Sequence, residues 1–151
     1  MAGYSGRSVV QKLGIKPGFR ILVDRAPAAY SDIVGALPDE VTIVSRPQAP
    51  LDVVHVFATE AAGLAGRLRK YRDAIAPDGM IWVSWPKKAS GVVTDLSDVV
   101  VRDTALPLGL VDIKVCAIDD TWSGLKFVIP REQRTKKDQR IRSDRRAKRS
   151  K

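Results

Sequence analysis

The sequence holds one cysteine and one histidine in 151 residues. A single cysteine, Cys116, excludes an intramolecular disulfide and a cysteine-rich zinc site. A single histidine, His55, excludes a histidine-based metal cluster and gives a Ser-His-Asp arrangement no support. No metal is expected. No apolar run approaches the ~20 residues that cross a bilayer, so no membrane partner is expected either. The opening stretch MAGYSGRSVVQ lacks the continuous apolar core of a secretory signal. A reducing, cytoplasmic setting is the expectation. No internal repeat is visible, and no glycine-rich phosphate loop is present.

Acidic charge is scarce in one place. Residues 131–151 carry eleven Lys/Arg and three acids, a net +8, whereas the first 130 residues carry only +1 of the total +9. The chain therefore divides into a nearly neutral body, 1–130, and a basic tail, 131–151. The tail has no apolar stripe and too little hydrophobicity to fold alone, so it is expected to be disordered. It suits either solvation or non-specific phosphate contact, with Arg140, Arg142, Arg145, Arg146, Lys148 and Arg149 as the candidates. It has no aromatic residue for base stacking.

The body alternates strands and helices. Ser5 is placed to cap a first short helix that ends at Gly14. FRILV (19–23) reads as a first strand and VTIVS (41–45) as a second. A helix with Tyr30, Ile33, Val34 and Leu37 on one stripe lies between them. DVVHVFA (52–58) is almost continuously apolar, as in a strand covered on both faces. Thr59 is a candidate cap for the next helix, whose stripe is Ala61, Leu64, Leu68, Tyr71 and Ile75. Pro77-Asp78-Gly79 reads as a turn before a fourth strand, Met80 to Trp85. Thr94 is a candidate cap for a further helix stopped by Pro107 and Gly109. Val111–Ile118 and Leu125–Ile129 form a hairpin around DDTWSG.

Only RPQAPL (46–51) separates the second and third strands, too short for a helical crossover. Pro47 and Pro50 hold it extended, and at ~3.3 Å per residue it spans roughly 20 Å, about one strand length. An extended crossover therefore replaces a helix. The pattern predicts a three-layer α/β sheet of about six strands, in the order 2-1-3-4-6-5, with the last strand antiparallel.

The segments AGYSG (2–6), KLGIKPG (12–18), WVSWPKKASGVVTDL (82–96) and GLVDIKVCAIDDTWSGLKFV (109–128) resemble domain-of-unknown-function family three-zero-five-two. That resemblance covers residues 2 to about 130. It implies a soluble bacterial domain and brings no catalytic residues to carry over. The layout also resembles the Rossmann-like core of S-adenosylmethionine-dependent methyltransferases. KLGIKPGFRILVD (12–24) is similar to the entry to their first strand, and IAPDGMIWVSWPK (75–87) to a later one. Two features depart from that pattern. The turn DRAPAAY (24–30) has no glycine where backbone would approach a ligand, and Ser45 and Arg46 stand where an acid would bind ribose hydroxyls. No Asn/Asp-Pro-Pro-aromatic motif follows a strand.

In such a sheet, ligands bind beyond the carboxyl ends of the strands at the switch point, here between the first and third. That places Asp24 and Arg25 beside Thr59 and Glu60. Trp85, Lys87, Lys88 and Ser90 leave the sheet one strand further on, where lysines and free backbone N–H groups suit an anion. The plainer reading makes that stretch a surface turn with Trp85 filling the core edge. Asp119 and Asp120 are read as turn-formers rather than paired catalytic carboxylates, and Trp122 as packed on the sheet. His55 is read as a hydrogen-bonded core histidine and Cys116 as a buried, inert thiol. The functional expectation is a non-catalytic domain binding a ligand or partner, with an anionic small molecule the candidate. The alternatives are a divergent methyltransferase-like enzyme and a nucleic-acid-associated protein acting through its tail. No cofactor is expected under the first reading; S-adenosylmethionine belongs to the second.

Overall fold

The computed structural model describes residues 8–28, 30–47 and 50–134. Its sheet contains β1 (Arg20–Asp24), β2 (Thr42–Val44), β3 (Leu51–Phe57), β4 (Ile75–Pro86), β5 (Val111–Ala117) and β6 (Trp122–Val128). The order is β2-β1-β3-β4-β6-β5, as the sequence pattern predicts. β1 pairs in parallel with β2 and β3, and β3 with β4. β6 runs antiparallel to β4 and β5. A tight hairpin between β2 and β3 would have reversed one of them, so the parallel sense fits an extended crossover. Its residues Gln48 and Ala49 lie outside the described residues.

Strand alternation divides the apolar side chains between two faces. Leu22, Val54, Val56, Val83, Leu125 and Phe127 pack with Leu64, Leu68 and Val101 of α3 (Leu64–Ala74) and α4 (Asp98–Ala105). Ile21, Val53, Trp82 and Ile118 pack with Leu13 and Val34 of α1 (Val9–Leu13) and α2 (Tyr30–Val34). Trp82 is fully buried and its Nε1–H donates to the Leu13 carbonyl at 3.0 Å. Gly124 makes room for that indole. A Cβ there would lie 3.2 Å from the ring and 2.9 Å from Ile118 Cδ1.

Several boundaries differ from the sequence reading, each for a tertiary reason. Thr59 does not cap α3, which starts at Leu64 behind Gly63. The Thr59 carbonyl accepts from the Thr94 hydroxyl at 2.7 Å, and the Ala61 N–H donates to Asp95 at 2.8 Å. These bonds pin 59–63 as a loop. Thr94, so engaged, does not cap α4; Ser97 does, accepting from the Val100 N–H. Ser5 lies outside the described residues, and Ser8 caps α1 with a reciprocal bond to Gln11. Gly14 closes α1 in the left-handed conformation, as expected. Pro77-Asp78-Gly79 is not a free turn but a bulge within β4. The β3 register jumps there from Leu51↔Ile75 to Val53↔Met80. A Cβ on Gly79 would come within 2.9 Å of the Leu51 carbonyl, so the bulge needs glycine. Trp122–Gly124 belongs to β6, leaving only 119–121 as the turn. After β6, residues 131–134 form a helical turn. It is tied down by Arg72 donating to Gln133 and by Arg134 donating to the Ile129 carbonyl.

Candidate functional site

The chain leaves β1 toward β2 on one side and returns as β3 on the other. The loops at the carboxyl ends of β1 and β3 therefore splay apart. A cavity of about 230 Å³ lies there, lined by Arg25, Phe57, Ala58, Thr59, Glu60, Ala62, Arg67 and Trp122. Three residues singled out from the sequence, Arg25, Thr59 and Glu60, share it.

Asp24 supports the cavity from behind. Its Oδ2 accepts from Arg67 Nε at 2.8 Å, and Arg67 Nη2 also donates to the Phe57 carbonyl at 2.7 Å. The ion pair is largely shielded, at 14% and 18% side-chain exposure. Tyr71 of α3 also bonds Asp24; burial, then that bond, push its hydroxyl well above its usual pKa. Arg25 sits at φ +56°, in the left-handed region. The turn thus keeps the kink a glycine would supply, while carrying a side chain at a strain of about 1 kcal/mol.

Phe57 and Trp122 meet edge to face at 4.9 Å and 88°. His55 stacks behind Phe57 at 4.3 Å. Its Nδ1 is 3.0 Å from the Tyr30 hydroxyl and its Nε2 is 2.7 Å from Ser84 Oγ. Both ring nitrogens are satisfied, and burial lowers the pKa to about 3. His55 is the core histidine expected. Ser84 is fully buried, so the Ser-His contact has no face open to a substrate.

The WPKK stretch forms a separate turn. Trp85 is buried in the core on the α3 and α4 face. The Lys87 N–H donates to the Thr121 carbonyl at 2.7 Å, which joins the end of β4 to the β5–β6 turn. The Ser90 hydroxyl donates to the Lys87 carbonyl at 2.6 Å and accepts from the Val92 N–H. Lys87 is half-buried and Lys88 exposed. None of Trp85, Lys87, Lys88 and Ser90 lines the cavity. Asp119 is a turn-former: its Oδ1 accepts from the Thr121 and Trp122 N–H groups. Cys116 is half-buried rather than buried; burial raises its pKa, opposed by Lys114 and Lys12. Among the described residues no group of acids, histidine and cysteine could hold a metal, and no helix is long and apolar enough to cross a membrane. Arg140, Arg142, Arg145, Arg146, Lys148 and Arg149 lie outside the described residues.

The sequence reading missed Arg67, Phe57, Ala58 and Ala62, and it read Trp122 as packed on the sheet rather than as a cavity wall. Arg67 reads as one of several charges on an exposed helix flank. Its one signal was the availability of a carboxylate, Asp24, at the end of a strand that α3 must cover.

No family model matches the sequence, and no curated protein matches it. Solved structures do match in fold. A S-adenosylmethionine-dependent methyltransferase from Aquifex aeolicus is 14% identical, with TM-score 0.60 over 81% of this chain and 88% of that one. A possible exported protein from Bordetella parapertussis is 9% identical, with TM-score 0.57 over 80% of this chain and 64% of that one. Fibrillarin from Aeropyrum pernix, with natively bound S-adenosylmethionine, is 16% identical, with TM-score 0.51 over 80% of this chain and 73% of that one. At such identities the likeness defines a class: a Rossmann-like α/β domain with the sheet of the methyltransferase fold.

Proposed function

We propose that the protein binds a small anionic ligand with a planar ring in the carboxyl-edge cavity, and does so without catalysing a reaction. The observation that carries this reading is a braced guanidinium beside an aromatic corner. Arg67 commits Nε and Nη2 inward, and no hydrogen bond among the described residues uses its Nη1. A guanidinium already fixed by a carboxylate loses little freedom on meeting an anion. Arg25 supplies a second cation, and the Phe57–Trp122 corner offers a ring face and an edge. The cavity is smaller than the roughly 300–1,000 Å³ that encloses drug-sized ligands, so a compact ligand fits best. The absence of catalysis rests on His55, which is neutral and sealed behind Phe57. A thermal-shift screen of nucleoside monophosphates and aromatic carboxylates tests the reading. A hit is expected to weaken about 10-fold or more in Arg67→Gln, as for one charged hydrogen bond. Arg25→Ala, at an exposed position, is expected to weaken it less while keeping the fold. A ligand indifferent to both changes sinks the proposal.

The second reading is an S-adenosylmethionine-dependent enzyme, favoured by the left-handed kink kept at Arg25. The side chains present do not fit that cofactor. Arg25 brings a Cβ where close approach is needed, Asp24 is engaged by Arg67 and Tyr71, and Ser45 and Arg46 follow β2 where an acid would be. No methyl-transfer step is therefore derived. The purified protein is expected not to bind S-adenosylmethionine tightly. Calorimetry giving a low-micromolar dissociation constant, about −8 kcal/mol, reverses the order of the two readings.

The likeness of PKKASG and DDTWSGLKF to domain-of-unknown-function family three-zero-five-two, and a bacterial cytoplasmic setting, belong to the same proposal. So does phosphate contact by the basic tail. Neutralising its six candidate residues is expected to reduce the salt slope of duplex binding by up to about 0.9 each. An unchanged slope leaves the tail as a solvated appendage.

A further inference from the structure

Lys114 and Lys126 are direct partners across the β5–β6 ladder. Directly opposed residues project from the same face with Cβ atoms about 5 Å apart, and like charges in that position destabilise a sheet. The face is the one covered by α1. Gly124, two residues before Lys126, meets Trp82 there, and alternation brings Lys126 back to the same side. Lys16, just beyond α1, joins them. Burial lowers the Lys126 pKa, and Lys114 and Lys16 lower it further. Lys12 reaches the same neighbourhood, with Nζ donating to the Ala117 carbonyl at 3.1 Å. No carboxylate acts on Lys126 among these groups. The ion pairs Asp24–Arg67 and Arg102–Asp112 lie on the α3 and α4 side. Lys16 and Lys114 are exposed and Lys126 is half-buried.

We propose that Lys16, Lys114 and Lys126 form a phosphate-contact surface for the backbone of a nucleic acid, separate from the carboxyl-edge cavity. The uncompensated repulsion is relieved when an anion arrives, and its counterions are released. The charges come from two strands and a loop rather than converging in a pocket. That arrangement suits a repeating polyanion better than one small anion. β6 runs antiparallel to β4, so Lys126, near its end, lies away from the carboxyl edge and its cavity. Nothing in the lysine set reads base edges, so binding is sequence-independent.

The test is fluorescence anisotropy of the full-length protein on a labelled duplex across a salt series. Lys114→Gln with Lys126→Gln is expected to lower the slope of log K against log salt by about 1.8, and Lys16→Gln by about 0.9 more. The loss should be equal for unrelated sequences. Arg69→Gln, on the exposed side of α3, is expected to leave the slope unchanged. Lys16→Gln and Lys114→Gln alter exposed side chains and keep the fold if the half-buried Lys126 variant does not. Relief of repulsion predicts that Lys126→Gln keeps or raises the melting temperature. A slope unchanged in the double variant overturns the proposal. So does loss of binding to phosphatidylserine vesicles, with duplex binding intact, which would assign the face to anionic lipid.

Discussion

Acidification from pH 7.5 to pH 2 is expected to remove about 5 kcal/mol of folding stability through His55 alone. Its folded pKa, about 3, lies below the ordinary 6.5 because burial excludes the charged form. In that window the unfolded chain binds a proton that the folded chain refuses, so stability rises with pH. The contribution is fully present above pH 6.5 and is lost as pH falls through the folded pKa. The separation of about 3.5 units, at 1.36 kcal/mol each, gives the magnitude. Burial is what excludes the charge: the ring is fully enclosed, its nitrogens meet the neutral hydroxyls of Tyr30 and Ser84, and Phe57 stacks on it, so no carboxylate among these contacts offsets an imidazolium. The chain has a single histidine, so its ring C–H resonances can be followed without assignment. They should not titrate between pH 8 and pH 5. Urea midpoints of wild type and His55→Asn should diverge as pH rises from 4 to 7. Parallel profiles would falsify the account.

Trp82→Ala is expected to cost 3–5 kcal/mol, the range for removing a buried aromatic. For a domain of this size that lowers the melting temperature by roughly 10–20 °C. The indole fills the space left by Gly124, touches Ile118, and carries the bond to the Leu13 carbonyl that holds the end of α1 against the sheet. A short helix of five residues has little stability of its own, so α1 depends on that bond and on Leu13 and Val10. Trp82→Phe keeps most of the apolar area and loses the hydrogen bond, and should fall between wild type and alanine. An alanine variant costing under about 1.5 kcal/mol would show that the site collapses freely, against the packing described.

The site was legible in the sequence where strand order alone positions residues. Asp24 ends β1 and Arg25 follows it, and Thr59 and Glu60 follow β3. Any sheet with its switch point between those strands brings them together. Arg67, Phe57 and Trp122 were not legible as cavity residues. Which face Phe57 and Trp122 take depends on register, and where Arg67 points depends on the rotation of α3 about its axis. The lysines of WPKK were legible as a cluster but not as a place. Their strand end is bonded to the Thr121 carbonyl, and neither lysine lines the cavity.

The sequence by itself determined the strand order, because Pro47 and Pro50 forbid a helical crossover and alternation supplies the rest. It also determined the buried, unreactive character of His55, since an apolar strand admits a histidine only when its nitrogens are paired. The tertiary structure alone decided where helices begin. Thr59 and Thr94 are equally good caps in isolation, but bonded to each other across two loops they cap nothing, and Gly63 and Ser97 take those places. It alone decided the opposition of Lys114 and Lys126. A one-residue bulge at Ile113, between Asp112 and Lys114, sets the register that puts two ammoniums face to face.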